Sequence, residues 1–373
     1  MTERRKRVLL DARKARDFGI GTYIRGLLGG LAGLDRYECH ALVLPGEEGL
    51  LPSGVTATVC NAGHYSLNEL VAVRRAISAL KPDVFHAPHY VVPFFTPPAT
   101  VVTIHDLMHL TRPEHASPAK RAYARWMIGR ALRLSARVIA VSEATKKEIL
   151  AFGPGQSGKV VVIPNGVRED FLERGREEES FSSSYLLFLG NDKAHKNLDG
   201  LLAAWPRLRA AHPGLSLLLA GVARGRPLPE GAKALGFVPD VDLPTLVAGA
   251  RALVLPSFAE GFGLPVLEAQ AAGTPVACSD IPALHEAAGD AAVFFDPHDT
   301  SSIAGALNSL LGDEEKREFL RKVGRERAAQ FTWAHIAEQT AAVYEAILSS
   351  PLSSSPSYPF KERTSSPEAG HLS

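Results

Sequence analysis

Residues 256–268 read PSFAEGFGLPVLE and lie between an apolar segment, Ala252–Leu255, and a segment with helical spacing that begins at Leu264. Glycine at positions 261 and 263 lets the backbone approach a ligand closely and adopt angles that other residues disfavour. A helix beginning at Leu264 presents free N–H groups, which favour phosphate, and its first turn tolerates Pro265. The segment therefore predicts an anion-binding loop between a strand and a helix.

The alternation of strand and helix continues on both sides of this loop. In the second half of the chain the predicted strands are Tyr185–Leu189, Leu215–Ala220, Ala252–Leu255, Pro275–Cys278 and Ala292–Phe295, with helices at Leu198–His212, near Leu243–Ala250 and from Leu264. In the first half the strands are Arg7–Leu10, His40–Leu44, Val84–His86, Val101–His105 and Arg137–Val141, with helices at Asn68–Leu80 and Ala116–Leu134. Such alternation predicts an α/β fold of two doubly wound, Rossmann-like domains facing across a cleft.

The length of 373 residues also favours two domains, because one domain usually has roughly 100–200 residues. The charged and Ser-rich segment 169–184 interrupts the apolar pattern and predicts a linker. We therefore expect an N-terminal domain at 1–168 and a second domain at 185–330. A helix at 331–349 is expected to cross back to the first domain, and the Ser- and Pro-rich tail 350–373 to be disordered.

The composition, with 46% apolar and 22% charged residues, is that of an ordinary globular protein. Cys39, Cys60 and Cys278 are far apart in sequence, so neither a disulfide framework nor a zinc site is indicated. The apolar run near the N-terminus ends at Asp11, short of a signal-peptide core, and no run approaches the ~18 apolar residues of a membrane span. We therefore expect a cytoplasmic protein.

Two glutamates, Glu260 and Glu268, flank the glycine-rich loop eight positions apart. Glu268 lies about one turn inside the predicted helix, where its carboxylate can accept hydrogen bonds from a diol such as ribose. A glycine-rich turn before a helix is common in α/β proteins, but glutamates at both ends make the pattern much more specific.

With both glutamates, the segment resembles the E-x7-E signature of glycosyltransferase family 4, a family of retaining enzymes with the GT-B fold. The resemblance covers most of residues 7–348. It implies that Glu260 lies beside the transferred sugar and that Glu268 holds the ribose. It also implies that backbone amides bind the sugar and the diphosphate, namely those of Gly261, Phe262, Gly263 and Leu264.

A second loop, Leu189–Asn197, follows the first predicted strand of the second domain and reads LGNDKAHKN. Ligands of α/β sheets bind outside the carboxyl ends of the strands, so Lys196 is well placed for a diphosphate. A solvated lysine is the alternative, yet the family carries a phosphate-binding lysine at this point. Many members also have an arginine nearby, where this chain has Asn191 and His195. A second phosphate contact is therefore left open between Lys193 and His195.

The first domain is expected to supply the other wall of the cleft. Gly19 and Gly21, in FGIGTY, resemble the family's glycine-rich loop near the donor phosphates, although a plain turn would look alike. His105 ends a predicted strand and matches the histidine that similar enzymes place near the anomeric carbon. Val238, in the segment 236–240, is similar to the loop that flanks the base. Ser142, Glu143 and Asn165 are interpreted as mainly architectural.

The resemblance implies transfer of a hexose from a nucleotide sugar to a glycan or lipid-linked acceptor, with mannose from GDP-mannose as first choice and a UDP-hexose next. No Asp-x-Asp pair follows a strand suitably, so no metal or cofactor is expected, and Lys196 with helix N-termini would stabilise the departing diphosphate. We expect no nucleic-acid partner.

The same residues bear on two other functions. A dinucleotide-dependent oxidoreductase is disfavoured, because neither loop has G-x-G-x-x-G followed by an acidic residue about 20 positions later. A non-catalytic sugar-nucleotide-binding subunit stays an alternative, because Asn191 departs from the family pattern.

The charge is unevenly distributed along the chain. Residues 1–170 contain 23 Lys and Arg against 15 Asp and Glu, a net +8, whereas residues 171–373 contain 18 against 25, a net −7. Either this is chance on two solvated surfaces, or the first domain faces something anionic such as a phospholipid surface. The basic residues that support peripheral membrane contact are Arg4–Arg7, Lys120, Arg121, Arg125, Arg130, Arg133 and Arg137.

Overall fold

The computed structural model describes residues 4–63, 67–93, 96, 97, 99–111, 117–176 and 184–349. Two parallel sheets, each covered by helices on both faces, make up this part of the chain. The predicted fold class is confirmed.

The first sheet has seven strands in the order β3-β2-β1-β4-β5-β6-β7, all paired in parallel. Its central strands β4 (VFHA) and β5 (TVVTI) are buried on both faces, as expected in a parallel sheet covered by helices, and they bury His86 and Thr103 with their apolar residues. The strands are β1 (Lys6–Asp11), β2 (Tyr37–Val43), β3 (Val55–Val59), β4 (Val84–Ala87), β5 (Thr100–Ile104), β6 (Arg137–Ala140) and β7 (Val160–Val162). The helices that accompany them are α1 (Ile20–Gly33), α2 (Leu67–Leu80), α3 (Met108–Thr111), α4 (Pro118–Leu134) and α5 (Glu143–Phe152).

The second sheet has six parallel strands in the order β10-β9-β8-β11-β12-β13. Its strands are β8 (Tyr185–Leu189), β9 (Ser216–Ala220), β10 (Ala232–Gly236), β11 (Ala252–Leu255), β12 (Val276–Ser279) and β13 (Val293–Phe295). Its helices are α6 (Glu169–Arg176), α7 (Leu198–Ala211), α8 (Leu243–Ala248), α9 (Leu264–Ala271), α10 (Pro282–Ala288), α11 (Thr300–Gly312) and α12 (Glu314–Ala328).

The segment assigned to the linker is partly helical. Its first half forms α6, which buries Phe171 and Leu172 in the core of the second domain, while residues 177–183 lie outside the described part of the chain. The tail at 350–373 and the predicted helix start at Ala116 lie outside it too. No helix among the described residues is long and apolar enough to cross a membrane.

The last helix, α13 (Trp333–Ser349), packs on the first domain although it follows α12 of the second. The chain crosses between the domains at two adjacent points, where Val167 N–H donates to the Phe331 carbonyl over 2.7 Å. Trp333 then occupies the space that a side chain at Gly26 or Gly166 would need, since a Cβ there would lie 2.1 or 2.6 Å from its ring. The packing of Trp333 against α1 therefore depends on Gly26, and its packing against the segment between β7 and α6 depends on Gly166.

Candidate active site

The loop between β11 and α9 needs glycine at two positions for different reasons. Gly263 has φ of 110°, in the left-handed region, and caps the N-terminus of α9. Gly261 faces the first domain, and a Cβ built on it would lie 1.9 Å from the His105 carbonyl oxygen. Hence the glycines shape the helix entry and let the two domains meet at this loop. The same loop turns Phe262 into the core and begins α9 at Leu264.

Lys196 and Glu260 meet next to this contact. Lys196 Nζ donates to Glu260 Oε1 over 2.8 Å, and the Ser257 hydroxyl donates to the same oxygen over 2.6 Å. Both charged side chains are largely buried, at 15% and 9% exposure. An ammonium group has three donors and Glu260 takes one, so Lys196 can hold this carboxylate and still contact a phosphate oxygen.

The backbone around Lys196 explains its position. Asn197 has φ of 51° and caps α7, with its side chain accepting the Gly200 N–H and donating to the Pro297 carbonyl. The carbonyl of His195 accepts the Phe258 N–H over 2.8 Å, which ties this loop to residues 256–260. The structure thus brings His195 and Lys196 to the glycine-rich loop.

Asn191 and Lys193 are not held against the glycine-rich loop in the way that His195 is. The Asn191 side chain accepts the backbone N–H of Lys193 over 3.2 Å, and Lys193 itself is exposed. Of the candidates for a second phosphate contact, His195 is therefore the one whose backbone is fixed beside Lys196, while Lys193 projects from a turn.

Glu268 lies inside α9 and is only 8% exposed. Burial raises the pKa of its carboxyl group to about 7, against the opposing effect of the Arg168 guanidinium. Carboxylates in such surroundings are stabilised by hydrogen-bond donors. The site is therefore suited to a ligand that brings hydroxyl groups to Glu268.

His105 follows β5 at the floor of the cleft. Its Nε2 lies 3.0 Å from the Pro88 carbonyl oxygen, which can only accept, so Nε2 carries the proton and Nδ1 is left with a lone pair. Burial lowers the pKa of His105 to about 4, so the ring is neutral at physiological pH. Nδ1 is therefore an acceptor, suited to a sugar hydroxyl.

The glycine loop of the first domain lies at the mouth of the same cleft. Gly19 has φ of 68° and caps α1, and a Cβ on Gly21 would lie 2.5 Å from the Ala15 carbonyl oxygen. Phe18 and Phe237 face each other across the mouth with ring centroids 6.2 Å apart, next to the half-buried Val238. The loops assigned to the donor are thus adjacent although they come from different domains.

A second set of contacts joins the domains beside Gly261. The Ser142 hydroxyl donates to the Gly261 carbonyl over 2.7 Å, and Thr145 Oγ1 lies 3.2 Å from the carbonyl oxygens of both Gly261 and His105. Glu286 accepts the backbone N–H groups of Glu143 and Ala144 at 2.6 and 2.8 Å. Glu286 therefore caps α5 of the opposite domain, and Ser142 has a cross-domain contact besides its role as a helix cap.

Asp106 is a site residue that the sequence interpretation did not nominate. It follows His105, its Cβ would lie 3.4 Å from a Cβ on Gly261, and one of its oxygens accepts the Met108 N–H over 3.0 Å. Burial raises the pKa of Asp106, and the charge of Glu260 acts in the same direction. Its position directly after His105 was the available sequence signal, but its proximity to the opposite domain becomes visible only in three dimensions.

Within the described residues, no three His, Cys, Asp or Glu side chains are grouped so that they could hold a metal ion. Positive charge near the described site comes from Lys196, from the N-terminus of α9 and, beside Glu268, from Arg168.

Comparisons with known proteins find relatives of both domains. A family model described as "Glycosyltransferase Family 4" matches residues 19–171, and one described as "Glycosyl transferases group 1" matches residues 172–327. O-antigen chain mannosyltransferase B of Escherichia coli is 32% identical over 295 residues, which cover 72% of this chain and 76% of that protein.

Solved structures share the fold. Sucrose-phosphate synthase from Thermosynechococcus elongatus superposes with a TM-score of 0.73 at 20% identity, covering 92% of this chain and 99% of the other. HepE of Anabaena, in complex with UDP and glucose, gives 0.69 at 19% identity and covers 91% and 100%. With both domains matched by family models and a relative of this similarity along most of its length, the chain is a glycosyltransferase with the GT-B fold and belongs to glycosyltransferase family 4.

Proposed function

We propose that the protein transfers a hexose from a nucleotide-diphosphate sugar to a hydroxyl group of a glycan or lipid-linked acceptor, with retention of the anomeric configuration. The observation that carries the proposal is the Lys196–Glu260 pair, 2.8 Å apart, beside the point where Gly261 meets His105 of the opposite domain. The pair combines a cation for the diphosphate with a carboxylate for sugar hydroxyls at one place in the cleft.

The proposed roles follow from the geometry of each group. Lys196 and the N-terminus of α9 stabilise negative charge on the departing diphosphate, an effect that grows when the closed cleft excludes water. Glu268 accepts the ribose hydroxyls, Glu260 accepts a hydroxyl of the transferred sugar, and His105 Nδ1 accepts another. In a front-face attack the leaving phosphate oxygen takes the proton of the acceptor, so no protein base is assigned.

GDP-mannose is the proposed donor, supported by the similarity to the Escherichia coli O-antigen chain mannosyltransferase. A UDP-hexose is the alternative, supported by the complex of HepE with UDP and glucose. The base would lie near Val238 and Phe237, beside the contact between the Phe237 and Phe18 rings.

A panel of nucleotides and donors tests this proposal. Thermal shifts are measured with GDP, UDP, GDP-mannose and UDP-hexoses, because a ligand at 100 times its dissociation constant stabilises by about 2.7 kcal/mol. We expect the largest shift with GDP compounds, and turnover with GDP-mannose. Larger shifts with UDP compounds would favour a UDP-hexose as the donor. Binding without turnover on any acceptor tested would favour a sugar-nucleotide-binding subunit.

A further inference from the structure

A chain of buried hydrogen bonds leads from the C-terminal helix to the neighbourhood of His105. The Tyr344 hydroxyl of α13 lies 2.6 Å from His86 Nδ1, and His86 Nε2 lies 2.8 Å from Thr103 Oγ1. Thr103 Oγ1 also lies 2.8 Å from the Tyr23 hydroxyl of α1. The four side chains are at most 1% exposed. Four elements, namely α13, β4, β5 and α1, are therefore linked by polar groups inside an apolar core.

The hydrogen-bonded chain ends at Tyr23, whose ring contacts the ring of His105. The Tyr23 ring meets the His105 ring edge-on, with centroids 4.9 Å apart and an angle of 84°. Thr103 and His105 are two positions apart on the same strand or its extension, so their side chains point to the same face of the sheet. Tyr23 and the Pro88 carbonyl together fix the orientation of the His105 ring.

The hydrogen bonds of the chain are directional. Burial lowers the pKa of His86 to about 3, so this ring is neutral, and one of its nitrogens donates while the other accepts. Removing one hydroxyl leaves a buried nitrogen or oxygen without its partner, which favours rearrangement of the remaining groups. An apolar core of the same volume would fill this space without imposing one arrangement.

α13 is held in one place on the first domain. A Cβ on Gly30 of α1 would lie 2.5 Å from the Trp333 carbonyl oxygen, and one on Gly26 would lie 2.1 Å from the Trp333 ring. The Tyr344 hydroxyl is thereby delivered to His86 from a helix that is continuous in sequence with the second domain.

We propose that Tyr344, His86 and Thr103 are positioning residues that orient His105 for sugar transfer, so that α13 is part of the active-site scaffold. The inference rests on the proposed function, in which His105 contacts the transferred sugar. Tyr344 and His86, at the α13 end of the hydrogen-bonded chain, do not touch substrate. Both act through Tyr23 and His105.

The test uses Tyr344→Phe and Thr103→Val, which keep volume and remove one hydroxyl each. Tyr37→Phe is the matched control, because Tyr37 packs on Tyr344 with ring centroids 6.0 Å apart and bonds α13 without joining the chain. A displacement of about 1 Å at a reacting group can lower the rate about a hundredfold, so we expect Tyr344→Phe and Thr103→Val to lower kcat about tenfold. Nucleotide-induced thermal shifts should stay unchanged, since Lys196 and Glu268, to which the proposed function assigns the diphosphate and the ribose, belong to the second domain and lie outside the hydrogen-bonded chain.

A double-mutant cycle separates positioning from general weakening of the fold. If Tyr344 acts through His105, Tyr344→Phe lowers kcat in the wild type and has no further effect in His105→Ala. Equal losses in both backgrounds, an unchanged kcat in the wild type, or the same loss in Tyr37→Phe would each overturn the inference.

A spectroscopic readout does not depend on turnover. Nitrogen-15 NMR of the histidine rings should show His105 with Nε2 protonated in the wild type and a second population in Tyr344→Phe. If the wild type transfers no sugar, the proposed function fails. The spectrum still tests the role of the hydrogen-bonded chain, because unchanged His105 signals in Tyr344→Phe and Thr103→Val would reject it.

Discussion

At the residue scale, Glu260 and Glu268 have different surroundings, so removing each side chain should affect a different step. Glu268→Ala is expected to weaken nucleotide binding by roughly 1.5–3 kcal/mol, because a charged hydrogen-bond partner of the ribose is lost. Glu260→Ala should mainly lower kcat, because in the proposed function Glu260, which is paired with Lys196, accepts a hydroxyl of the transferred sugar. Calorimetry with the nucleotide and initial rates measure the two effects. Unchanged affinity and rate in both variants would contradict the assignment.

The environment of Glu268 also predicts a pH dependence. Burial raises its pKa from 4.5 to about 7, and the ionised form accepts ribose hydroxyls best, so nucleotide affinity should increase as the pH rises through 7. The free energy of unfolding without ligand changes in the opposite sense: the contribution of Glu268 is complete below pH 4.5 and is lost as the pH rises through 7. Titrations between about pH 6 and pH 8 compare the wild type with Glu268→Gln, for which we expect weaker and nearly pH-independent binding.

At the element scale, the sequence predicts the central strands well and the edge strands poorly. β3 and β10, which were not predicted, lie at the outer edges of the two sheets. Their sequences, VTATV and AKALG, are only partly buried, so they lack the continuous apolar run of a central strand. β7 (Val160–Val162), at the other edge of the first sheet, is short and ends before Pro164, which offers no N–H to a ladder.

The site shows the same division between local and distant information. Gly261, Gly263, Lys196 and Glu268 come from short motifs in which spacing and local geometry carry the signal. Asp106 and Glu286 act across the domain contact, and no local pattern relates positions so far apart in sequence. The burial of Arg130 also could not be predicted from the sequence. Its helix, α4, is basic and only weakly amphipathic, so the sequence does not mark which of its arginines faces inward.

The contact between the β11–α9 loop and His105 predicts an effect of a single methyl group. In Gly261→Ala the new Cβ would lie 1.9 Å from the His105 carbonyl oxygen, so the domains must separate. We expect kcat to fall about ten- to hundredfold, because reacting groups on opposite domains are no longer aligned. Gly305→Ala, in α11, is the control, since nothing lies within 4 Å of its Cβ. Equal activity of the two variants would show that this contact is not needed for transfer.

At the scale of the whole molecule, the proposed function assigns the charge on the departing diphosphate to Lys196 and the N-terminus of α9. Activity is therefore expected to survive EDTA, and Lys196→Ala to lower kcat by at least about a hundredfold, as loss of a group that stabilises transition-state charge does elsewhere. Initial rates with EDTA, and with Mg²⁺ or Mn²⁺ added back, measure this. Loss of activity that a divalent ion restores would reveal a metal requirement.

The structure narrows the basic surface that the sequence assigned to the first domain. Arg130 is buried and donates to the carbonyls of Val92 and Pro93, so it belongs to the fold and not to an exposed face. The N-terminal arginines are paired with acidic side chains of the first domain, namely Arg4 with Asp83, Arg5 with Asp35 and Arg7 with Glu38. The basic residues of α4 outside the core are Lys120, Arg121, Arg125 and Arg133, and the helix also exposes 47% of Trp126.

We predict that the exposed part of α4 docks on an anionic membrane. Each basic group near such a surface contributes about 1 kcal/mol, so four of them with an interfacial Trp126 give reversible binding. Replacing Lys120, Arg121 and Arg125 by Ser should abolish co-sedimentation with anionic vesicles at low salt. The control replaces Arg207, Lys233 and Lys322 by Ser, which removes the same charge from exposed positions of the second domain and should leave binding intact. Equal recovery with neutral and anionic vesicles, or equal losses in the two triple variants, would reject docking through α4 and favour an acceptor in solution.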